Sequence, residues 1–397
     1  MANHRVGLPV REAQQEHIIG RILGDSVGPS IIVMTGIHGN EPAGLQAAER
    51  VLETIRRNGI ALNGELSVLA GNLQALKLKT RFIHNDLNRH WTPNTVAALS
   101  ALRQEAVGED RERRELLQVL AEVIAGARGQ VHFLDLHTSS ADGAPFVTVG
   151  DTLRNRAFAL KLPLPLILGL EEQVDGSLLE YLNNFGFITM GVEAGQHHAE
   201  SAVDVHEAAL WLAMIAAEMV DPQSVPGLQR HEQLLAEASR TIPRVLEVRG
   251  RHAITPEHRF EMEPGFVSFQ PIQAGQVLAR DRNGVIRAEE SGRLLLPLYQ
   301  GKGDDGFFIA REVAMVWLRV SALLRRLGLG SLIPFLPGVR RHPEQQEVLI
   351  VNTRIARFYP LEVFHLFGYR KLRQVGAALL VSRRRYDIAP PRQISFT

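Results

Sequence analysis

Three segments that lie far apart in the chain carry side chains able to bind one metal ion. They are GIHGNEPAG at 36–44, FIHNDLNR at 82–89 and FLDLHTSS at 133–140. In the first segment His38 and Glu41 follow an apolar run, and in the third His137 ends another apolar run. Two imidazoles and one carboxylate leave a fourth zinc position open, which a catalytic site needs in order to hold a water. We therefore predict a catalytic zinc site built from these three residues.

A further carboxylate could supply the base for this site. Glu193 ends a third apolar run, and a carboxylate beside the water would act as general base. Asp135 lies in the expected strand at whose exit His137 follows. We place it on the opposite face of that strand, outside the ligand set, where it could orient neighbouring groups. For His137 the alternative is a buried histidine that caps a strand.

The His-x-x-Glu spacing alone is weak evidence, because the chain contains it three times. Only His38 and Glu41 follow an apolar run and lie among glycines, which let the backbone approach a metal closely. The other two pairs are His197/Glu200 and His258/Glu261. The first of them closely follows the candidate base, and we expect it to line the pocket. The second lies in a β-rich region and is predicted to be a solvated surface pair.

The second segment is rich in groups that recognise a carboxylate. Arg81, Asn88 and Arg89 fall within nine residues. A guanidinium matches a carboxylate with two parallel hydrogen bonds, so these side chains beside a zinc site favour a substrate that bears a carboxylate. The alternative is a charged, solvated loop without a role in binding.

Composition limits the metal ligands and the class of protein. The chain has 397 residues, of which 45% are apolar and 22% charged, as is typical of a soluble protein of two or three domains. It contains no cysteine, which excludes disulfides and thiolate metal ligands. We read no apolar signal region at the N-terminus and no apolar stretch of about 18 residues. We therefore expect a cytoplasmic protein without a transmembrane segment.

Charge is distributed unevenly along the chain. Residues 311–397 contain 15 Lys and Arg against 5 Asp and Glu, and residues 1–310 carry a net charge of −9. The simplest interpretation is that the basic part docks on the acidic part, within one chain or between subunits. Contact with nucleic acid or an anionic membrane surface is the alternative.

Short apolar runs alternate with helical patterns from residue 31 to about 220. This predicts an α/β fold with a mainly parallel, doubly wound sheet and helices on both faces. The expected strands are 31–35, 66–70, 131–136, 165–168 and 187–192. The expected helices are 42–58, 95–106, 111–127, 152–161, 176–184 and 204–219. His38, His137 and Glu193 then lie at the carboxyl ends of strands, where such sheets form their active sites.

The pattern predicts three parts of the chain. Residues 1–225 form the catalytic α/β domain. Residues 226–310 alternate between apolar and polar positions and contain turn glycines, as in a small β-domain. Residues 311–397 form a basic extension of mixed α/β structure that starts with an amphipathic helix.

Four motifs, in this order, resemble the succinylglutamate desuccinylase/aspartoacylase family. They are GxHGNEPAG, TRFIxxDLNR, DLHT and GVExG. The resemblance covers about 30 to 310, and FxPIxxGQVLA and GKGDDGFF in the β-domain also look like the family. These are zinc enzymes of the carboxypeptidase-like (M14-type) α/β class. The resemblance implies one Zn²⁺ per chain, bound by His38, Glu41 and His137, with Glu193 as general base.

The resemblance also assigns roles to the second segment. By it, Arg81 polarises the scissile carbonyl group, and Asn88 and Arg89 bind the α-carboxylate of the substrate. One departure concerns the acyl group. In aspartoacylase-type members an arginine about ten residues before the catalytic Glu grips the acyl-side carboxylate, whereas residues 181–184 here read YLNN. The acyl group therefore need not be acidic. Residues 311–397 have no counterpart in the short family members.

The expected function is zinc-dependent deacylation of an N-acyl amino acid or a related small amide that bears a carboxylate. A zinc peptidase or an esterase on the same site is the nearest alternative. A different alternative is a zinc-binding protein with weak catalysis that uses its basic tail for membrane or nucleic-acid contact. The expected partner is the small-molecule substrate, without nucleic acid, and the basic tail could form a homo-oligomer.

Overall fold

The computed structural model describes residues 16–101, 107–345, 347–355, 361–375, 378–392 and 396. Two of the expectations fall outside these residues. The N-terminus without a signal region lies largely within 1–15, and the last part of the helix expected at 95–106 lies at 102–106.

Eighteen strands are found in the described part of the chain. In chain order they are β1 (Ile18–Leu23), β2 (Ser26–Thr35), β3 (Asn63–Ala70), β4 (Val131–Ser139), β5 (Phe146–Thr148), β6 (Leu166–Leu168), β7 (Ile188–Gln196), β8 (Val245–Ala253), β9 (Glu261–Met262), β10 (Pro271–Ile272), β11 (Val277–Asp281), β12 (Gly284–Arg287), β13 (Gly292–Leu295), β14 (Asp305–Glu312), β15 (Val339–Arg341), β16 (Val348–Asn352), β17 (Tyr369–Val375) and β18 (Ala378–Arg383).

The α-helices of the described residues connect these strands. They are α1 (Ala43–Asn58), α2 (Leu73–Leu78), α3 (Pro93–Ala101), α4 (Glu109–Ala125), α5 (Leu153–Ala159), α6 (Leu178–Asn183), α7 (Glu200–Ala216), α8 (Leu228–Ala238), α9 (Met315–Arg326) and α10 (Leu361–Leu366). None of the helices in the described part is long and apolar enough to cross a membrane.

The central sheet has the strand order β1-β3-β2-β4-β7-β5-β6-β8-β14-β13-β10. Its middle is parallel, because β2 pairs in parallel with both β3 and β4, and β4 pairs in parallel with β7. The edges are antiparallel at β1–β3 and at β8–β14. Strand β5 also pairs antiparallel with β7, next to this parallel group. The prediction of an α/β fold with a mainly parallel sheet is therefore confirmed. The carboxyl ends of β2, β4 and β7 lie side by side.

The expected elements overlap observed ones, and three short elements were not expected. The expected strands correspond to β2, β3, β4, β6 and β7, and the expected helices to α1 and α3 to α7. Strand β5 has only three residues, which is too short for an alternating pattern. Strand β1 contains Gly20 within its apolar run, and α2 spans less than two turns.

The apolar run of β2 is buried on both sides, as a strand covered by helices on both faces must be. Ile31 and Val33 pack into the cluster that contains α1 and α7 side chains, whereas Ile32 and Met34 pack into the cluster that contains α4 side chains. Successive residues of a strand point to opposite faces. The continuous apolar run therefore places β2 between two helical layers. The strand ends at Thr35, three residues before His38.

The region expected as a β-domain has two kinds of strand. Its strands β8, β10, β13 and β14 continue the central sheet, and β9, β11 and β12 form a separate three-stranded sheet in the order β12-β11-β9. The extension forms a four-stranded antiparallel sheet in the order β15-β16-β18-β17. The three-part division of the chain, at about 225 and 310, stays a prediction.

Buried ion pairs join the basic extension to the acidic body. Arg325 donates to the carboxylate of Asp151 at 2.9 Å, and its side chain is fully buried. Arg370 also pairs with Asp151, and Arg384 donates to Glu180 at 2.7 Å. Part of the positive charge of the extension is thus neutralised within one chain, as the simplest interpretation of the charge asymmetry predicted.

Candidate metal centre and active site

The first two candidate ligands lie in the loop after β2. Gly36 turns the chain with a φ of +59°, a conformation that glycine adopts without strain. Gly39 lies directly against the backbone of Ala75, where an added Cβ would come within 2.0 Å of the carbonyl carbon. The chain then enters α1. In this loop Nδ1 of His38 lies 2.9 Å from Oε1 of Glu41.

The third candidate ligand joins these two at the end of β4. Nδ1 of His137 lies 3.2 Å from Oε2 of Glu41, and the backbone N–H of Thr138 donates to the same oxygen at 2.9 Å. One potential ligand atom from each of His38, Glu41 and His137 lies within 4.8 Å of the others. The structure therefore brings the three predicted ligands together, with both imidazole Nδ1 atoms next to the carboxylate.

Each histidine is held by a second carboxylate on its other ring nitrogen. Nε2 of His38 lies 3.1 Å from Oδ1 of Asp86, and Nε2 of His137 lies 3.1 Å from Oδ2 of Asp135. Metal-binding histidines commonly make such a contact, which fixes the ring orientation. The arrangement leaves the two Nδ1 atoms available to a metal.

The placement of Asp135 on the opposite strand face from His137 was wrong. The two residues are two positions apart, so their side chains share one face of β4, and they contact each other. The expected role of Asp135 in orienting a neighbour agrees with this contact. The role of Asp86 was missed, because its partner His38 lies 48 residues away in sequence.

The electrostatics of the cluster favour the charged form of Glu41 and of Asp86. Burial alone would raise the pKa of Glu41, but the charges and hydrogen bonds of His38 and His137 hold it well below its usual range. Burial also opposes ionisation of Asp86, whose pKa is nevertheless held well below its usual range by His38 and Arg81. A buried set of two nitrogen donors and one anionic oxygen donor fits Zn²⁺.

Glu193 lies on β7 directly beside His137, with which it is in register in the parallel pair. The two side chains therefore share one face of the sheet. Oε2 of Glu193 is buried and has no hydrogen-bond partner in the described part of the chain. Burial raises the pKa of Glu193 to about 8, against the opposing charge of His137. A buried carboxyl group with an unused oxygen beside the ligand set suits a group that exchanges a proton with a water.

Arg81 lies at the rim of the ligand set. Its Nη2 donates to Oδ2 of Asp86 at 3.0 Å, and its Nη1 lies 3.5 Å from Oε1 of Glu41. Its side chain lines the same cavity as His38 and Glu193. The guanidinium is therefore held next to the candidate metal position by Asp86, which contacts both Arg81 and His38.

Asn88 and Arg89 also line this cavity, but each already has partners. The side-chain oxygen of Asn88 accepts from the backbone N–H of Leu178 at 2.8 Å. Nη2 of Arg89 donates to Asp305 at 2.8 Å, and this ion pair was not expected from the sequence. Nη1 of Arg89 donates to the carbonyl oxygen of Asn88 at 3.0 Å, whereas its buried Nε has no hydrogen-bond partner among the described residues. Nε of Arg89 and the side-chain amide nitrogen of Asn88 are thus donors that a ligand could use.

Neither of the other His-x-x-Glu pairs belongs to either of the two three-residue groups with metal-ligand spacing among the described residues. His197 does line the cavity, as expected, and its Nδ1 lies 2.8 Å from Oγ1 of Thr138. Its Nε2 lies 3.3 Å from the side-chain oxygen of Gln300. Gln300 comes from the region after β13, so this region closes one side of the site.

The part of the cavity away from the ligands is mostly apolar. The cavity has a volume of about 160 Å³. Its apolar lining residues are Val149, Leu170, Val174, Leu179, Leu296, Pro297, Leu298 and Phe308. Asn183, within the segment that lacks the family arginine, instead accepts a hydrogen bond from Asn155 at 2.8 Å. Among the described residues, Arg81 and Arg89 are the arginines that line the cavity.

A second group with metal-ligand spacing lies outside the cavity. Nε2 of the buried His17 is 3.5 Å from carboxylate oxygens of both Glu112 and Glu115. Its Nδ1 lies 2.8 Å from the carbonyl oxygen of Ala70. Burial alone would lower the pKa of His17, but the hydrogen bond to Glu115 and the nearby carboxylates raise it. An imidazolium in an ion pair with two carboxylates accounts for this group.

Fold and site together define an α/β protein with a candidate metal centre at the carboxyl ends of adjacent parallel strands. The profile described as the succinylglutamate desuccinylase/aspartoacylase catalytic domain matches residues 27–219. Residues 27–219 therefore belong to the succinylglutamate desuccinylase/aspartoacylase family.

Similar proteins in sequence include two bacterial enzymes named succinylglutamate desuccinylase. The one from Chromobacterium violaceum is 34% identical over 117 residues, which is 29% of this chain and 33% of the relative. The one from Erwinia tasmaniensis is 41% identical over 64 residues, or 16% of this chain and 20% of the relative. The matched segments thus span a third or less of these relatives.

Similar solved structures extend over a larger part of the chain. The product-bound ectoine utilization protein EutE (DoeB) from Ruegeria pomeroyi has a TM-score of 0.54 at 17% identity, covering 73% of this chain and 87% of that protein. A succinylglutamate desuccinylase/aspartoacylase from Rhodobacter sphaeroides has a TM-score of 0.54 at 16% identity, covering 75% and 88%. At these identities the likeness concerns the fold.

Proposed function

We propose that this protein is a zinc-dependent amide hydrolase that removes the acyl group from an N-acyl amino acid or a related small amide bearing a carboxylate. The observation that carries the proposal is the convergence of His38, Glu41 and His137 beside the partnerless oxygen of Glu193. The family supports it, because the named relatives are desuccinylases. We also propose, from the resemblance of its motifs, that the site is of the zinc-carboxypeptidase type.

His38, Glu41 and His137 would hold the zinc, through Nδ1 of each histidine and the carboxylate. When bound, Zn²⁺ supplies Lewis-acid chemistry, which lowers the pKa of a water and polarises a carbonyl group. The contacts from Asp86 and Asp135 to the opposite ring nitrogens would keep both imidazoles in their orientation. The backbone N–H of Thr138 would do the same for Glu41.

The chain's own groups would move the proton and stabilise the charge. Glu193 takes the proton of the attacking water through its carboxylate oxygen and returns it to the nitrogen of the leaving amine. Arg81 stabilises the negative charge that develops on the carbonyl oxygen. Its ion pair with Asp86 holds the guanidinium in place before substrate binds.

Asn88 and Arg89 would bind the carboxylate on the amine side of the substrate. Arg89 already pairs with Asp305, so a substrate carboxylate would share the guanidinium with it. The apolar part of the cavity, without a further arginine among its described lining residues, would take the acyl group. An uncharged acyl group is therefore favoured over a dicarboxylic one such as succinyl.

The test is a comparison of Glu193→Gln with the unaltered protein on a panel of N-acyl amino acids that differ in acyl length. The panel first identifies a substrate of the unaltered protein. We expect Glu193→Gln to lose about 10²–10⁴-fold in kcat, because the general base is gone. Zinc content, measured by mass spectrometry, should remain at one ion per chain. Glu200→Gln, which changes an exposed glutamate of the same segment, serves as the matched control.

Near-native turnover of Glu193→Gln would rule out this residue as the base. A panel without any substrate would count against the deacylase proposal itself.

A peptidase on the same site is the second candidate, and Glu171 favours it. Glu171 lines the cavity, and its Oε2 is buried without a partner among the described residues. Burial raises the pKa of Glu171 to about 8, and a bound ammonium group would offset that cost. The free amine of a dipeptide could provide this group. Turnover of an unblocked dipeptide, lost in Glu171→Gln, together with no turnover of its N-acetyl analogue, would decide for the peptidase.

A further inference from the structure

The outward surface of α9 and of the 3₁₀ helix that follows it is apolar although it faces solvent. We call this surface the outer face. Its exposed apolar side chains are Val316, Trp317, Leu323, Leu327, Leu332 and Phe335. Phe335 is 82% exposed and Trp317 is 54% exposed. Among the described residues, 6 of the 15 exposed large hydrophobic side chains fall within these 20 positions.

The spacing along α9 places these side chains on one side of the helix. Val316, Leu323 and Leu327 are separated by seven and four positions, which returns them to the same helical face. The opposite side carries Ser321 and Arg325, both buried. Those two residues contact the body of the protein. The helix is therefore anchored through its inner side and presents its apolar side outward.

The 3₁₀ helix Leu329–Phe335 extends the same surface. It contacts both α9 and β15. Its inner residues Gly330 and Ile333 are buried, whereas Leu332 and Phe335 are exposed. Phe335 lies at the end of an anchored segment, and its exposed aromatic side chain is free to insert into an apolar environment.

The charged side chains of the segment that carries the outer face have one sign. Between Glu312 and Glu344 the sequence contains no Asp or Glu. The exposed arginines of this stretch are Arg319, Arg326, Arg340 and Arg341. A segment with large apolar and aromatic side chains, several arginines and no acidic residue has the composition of protein segments that lie in the interface of an anionic bilayer.

The composition of the outer face disfavours two other binding partners, a second copy of the chain and nucleic acid. A second copy of the chain, related by a two-fold axis, would set this patch against itself and bring arginines of this segment close to arginines of the same segment. Nucleic acid would meet the arginines but would leave the leucines and Phe335 without an apolar partner. A membrane surface satisfies both kinds of side chain, since arginines reach the headgroups while the apolar groups enter below them.

We propose that the outer face binds the surface of a membrane that contains anionic lipids, with Trp317, Leu332 and Phe335 inserted at the headgroup boundary. The extension, which the acidic body holds through buried ion pairs, thereby becomes a membrane-docking platform. This proposal is independent of the proposed hydrolase activity, because none of the residues of the outer face lines the catalytic cavity.

The tryptophans of the chain provide a direct reporter. The chain has three, and Trp91 and Trp211 are buried whereas Trp317 is exposed. Acrylamide in the water phase therefore quenches mainly Trp317. The full chain is titrated with vesicles of phosphatidylcholine alone and with vesicles that also contain phosphatidylglycerol. We expect a blue shift and protection from quenching with the anionic vesicles, and weaker binding as salt increases.

Two double variants separate the apolar contribution to vesicle binding from the contribution of the charged side chains. We expect Leu332→Ser/Phe335→Ser to lower the vesicle partition coefficient by about tenfold or more, because two large side chains no longer leave water. We expect Arg319→Glu/Arg326→Glu to lower it by a similar factor on anionic vesicles. The matched control, Val27→Ser/Val285→Ser, removes two exposed apolar groups outside the outer face and should bind as the unaltered chain does. Circular dichroism confirms that each variant is folded.

Three results would overturn the proposal. The first is the absence of vesicle binding by the folded full chain. The second is self-association in solution that Leu332→Ser/Phe335→Ser abolishes, which would identify a second copy as the occupant. The third is binding to a nucleic-acid duplex that Arg319→Glu/Arg326→Glu abolishes while vesicle binding stays absent.

Discussion

At the scale of single residues, the candidate centre depends on pairs of carboxylates and histidines. Each imidazole lies between the shared carboxylate of Glu41 and a carboxylate of its own, Asp86 or Asp135. The candidate ligands and the candidate base were found from the sequence because they follow or end apolar runs, and strand ends are visible in that pattern. Asp86 and Asp305 were not found, because their partners lie 48 and 216 residues away.

Asp86→Asn tests the importance of this outer carboxylate. The variant keeps an oxygen near His38 but loses the negative charge that holds both His38 and Arg81. We expect zinc affinity to fall by about 10- to 100-fold, the usual effect of removing a carboxylate behind a ligand histidine. Competition with a chromogenic chelator measures the affinity. Asp281→Asn, at a β-turn away from the cavity, is the control. Equal zinc affinity of both variants would show that Asp86 does not support the ligand.

At the scale of elements, three adjacent strand ends and one close loop contact position the centre. The apolar runs were sufficient to predict these three strands and the residues at their carboxyl ends, but the order β2-β4-β7 is known only from the structure. The loop contact between Gly39 and α2 was not predictable, because α2 has only six residues and no clear helical pattern. The ligand loop therefore depends on an element that only the tertiary structure reveals.

Gly39→Ala tests the loop contact. The new Cβ would lie 2.0 to 2.3 Å from backbone atoms of Ala75 and Leu76, which cannot move aside as a flexible side chain can. We expect a loss of about 2 kcal/mol or more in the free energy of unfolding, together with loss of zinc binding. Gly250→Ala, where the new Cβ meets nothing within 4 Å, should change stability by less than about 0.5 kcal/mol. Chemical denaturation measures both. Equal stability of the two variants would contradict the close approach.

At the scale of the whole molecule, buried ion pairs attach the extension to the acidic body. The uneven charge of the sequence predicted attraction between the two parts, but it could not identify the pairs. His365 is one example: its Nδ1 lies 2.6 Å from Glu247 and its Nε2 lies 3.2 Å from Glu172. These partners lie 118 and 193 residues away in sequence.

The ion pairs of His365 predict a pH dependence of stability. Burial opposes the charge on His365, but the hydrogen bonds and charges of Glu172 and Glu247 raise its pKa from 6.5 to about 10. The folded chain therefore keeps a proton that the unfolded chain releases as pH rises above 6.5. The stabilising contribution is complete below pH 6.5 and is lost as pH rises through about 10.

We therefore expect His365→Gln to have a lower Tm than the unaltered chain at neutral pH. The difference should shrink as pH rises towards about 10. Differential scanning calorimetry across this pH range measures it, with His258→Gln, at a half-exposed histidine, as the control. A difference in Tm that stays constant with pH would contradict a charged His365 in the folded protein.

The central claim is that His38, Glu41 and His137 bind one zinc ion. An anomalous difference map at the zinc absorption edge, from crystals of the full chain grown with zinc, tests it most directly. We predict a peak about 2.0–2.3 Å from Nδ1 of both histidines and from a carboxylate oxygen of Glu41. A map without a peak there, or with its peak at His17, Glu112 and Glu115 instead, would contradict the claim.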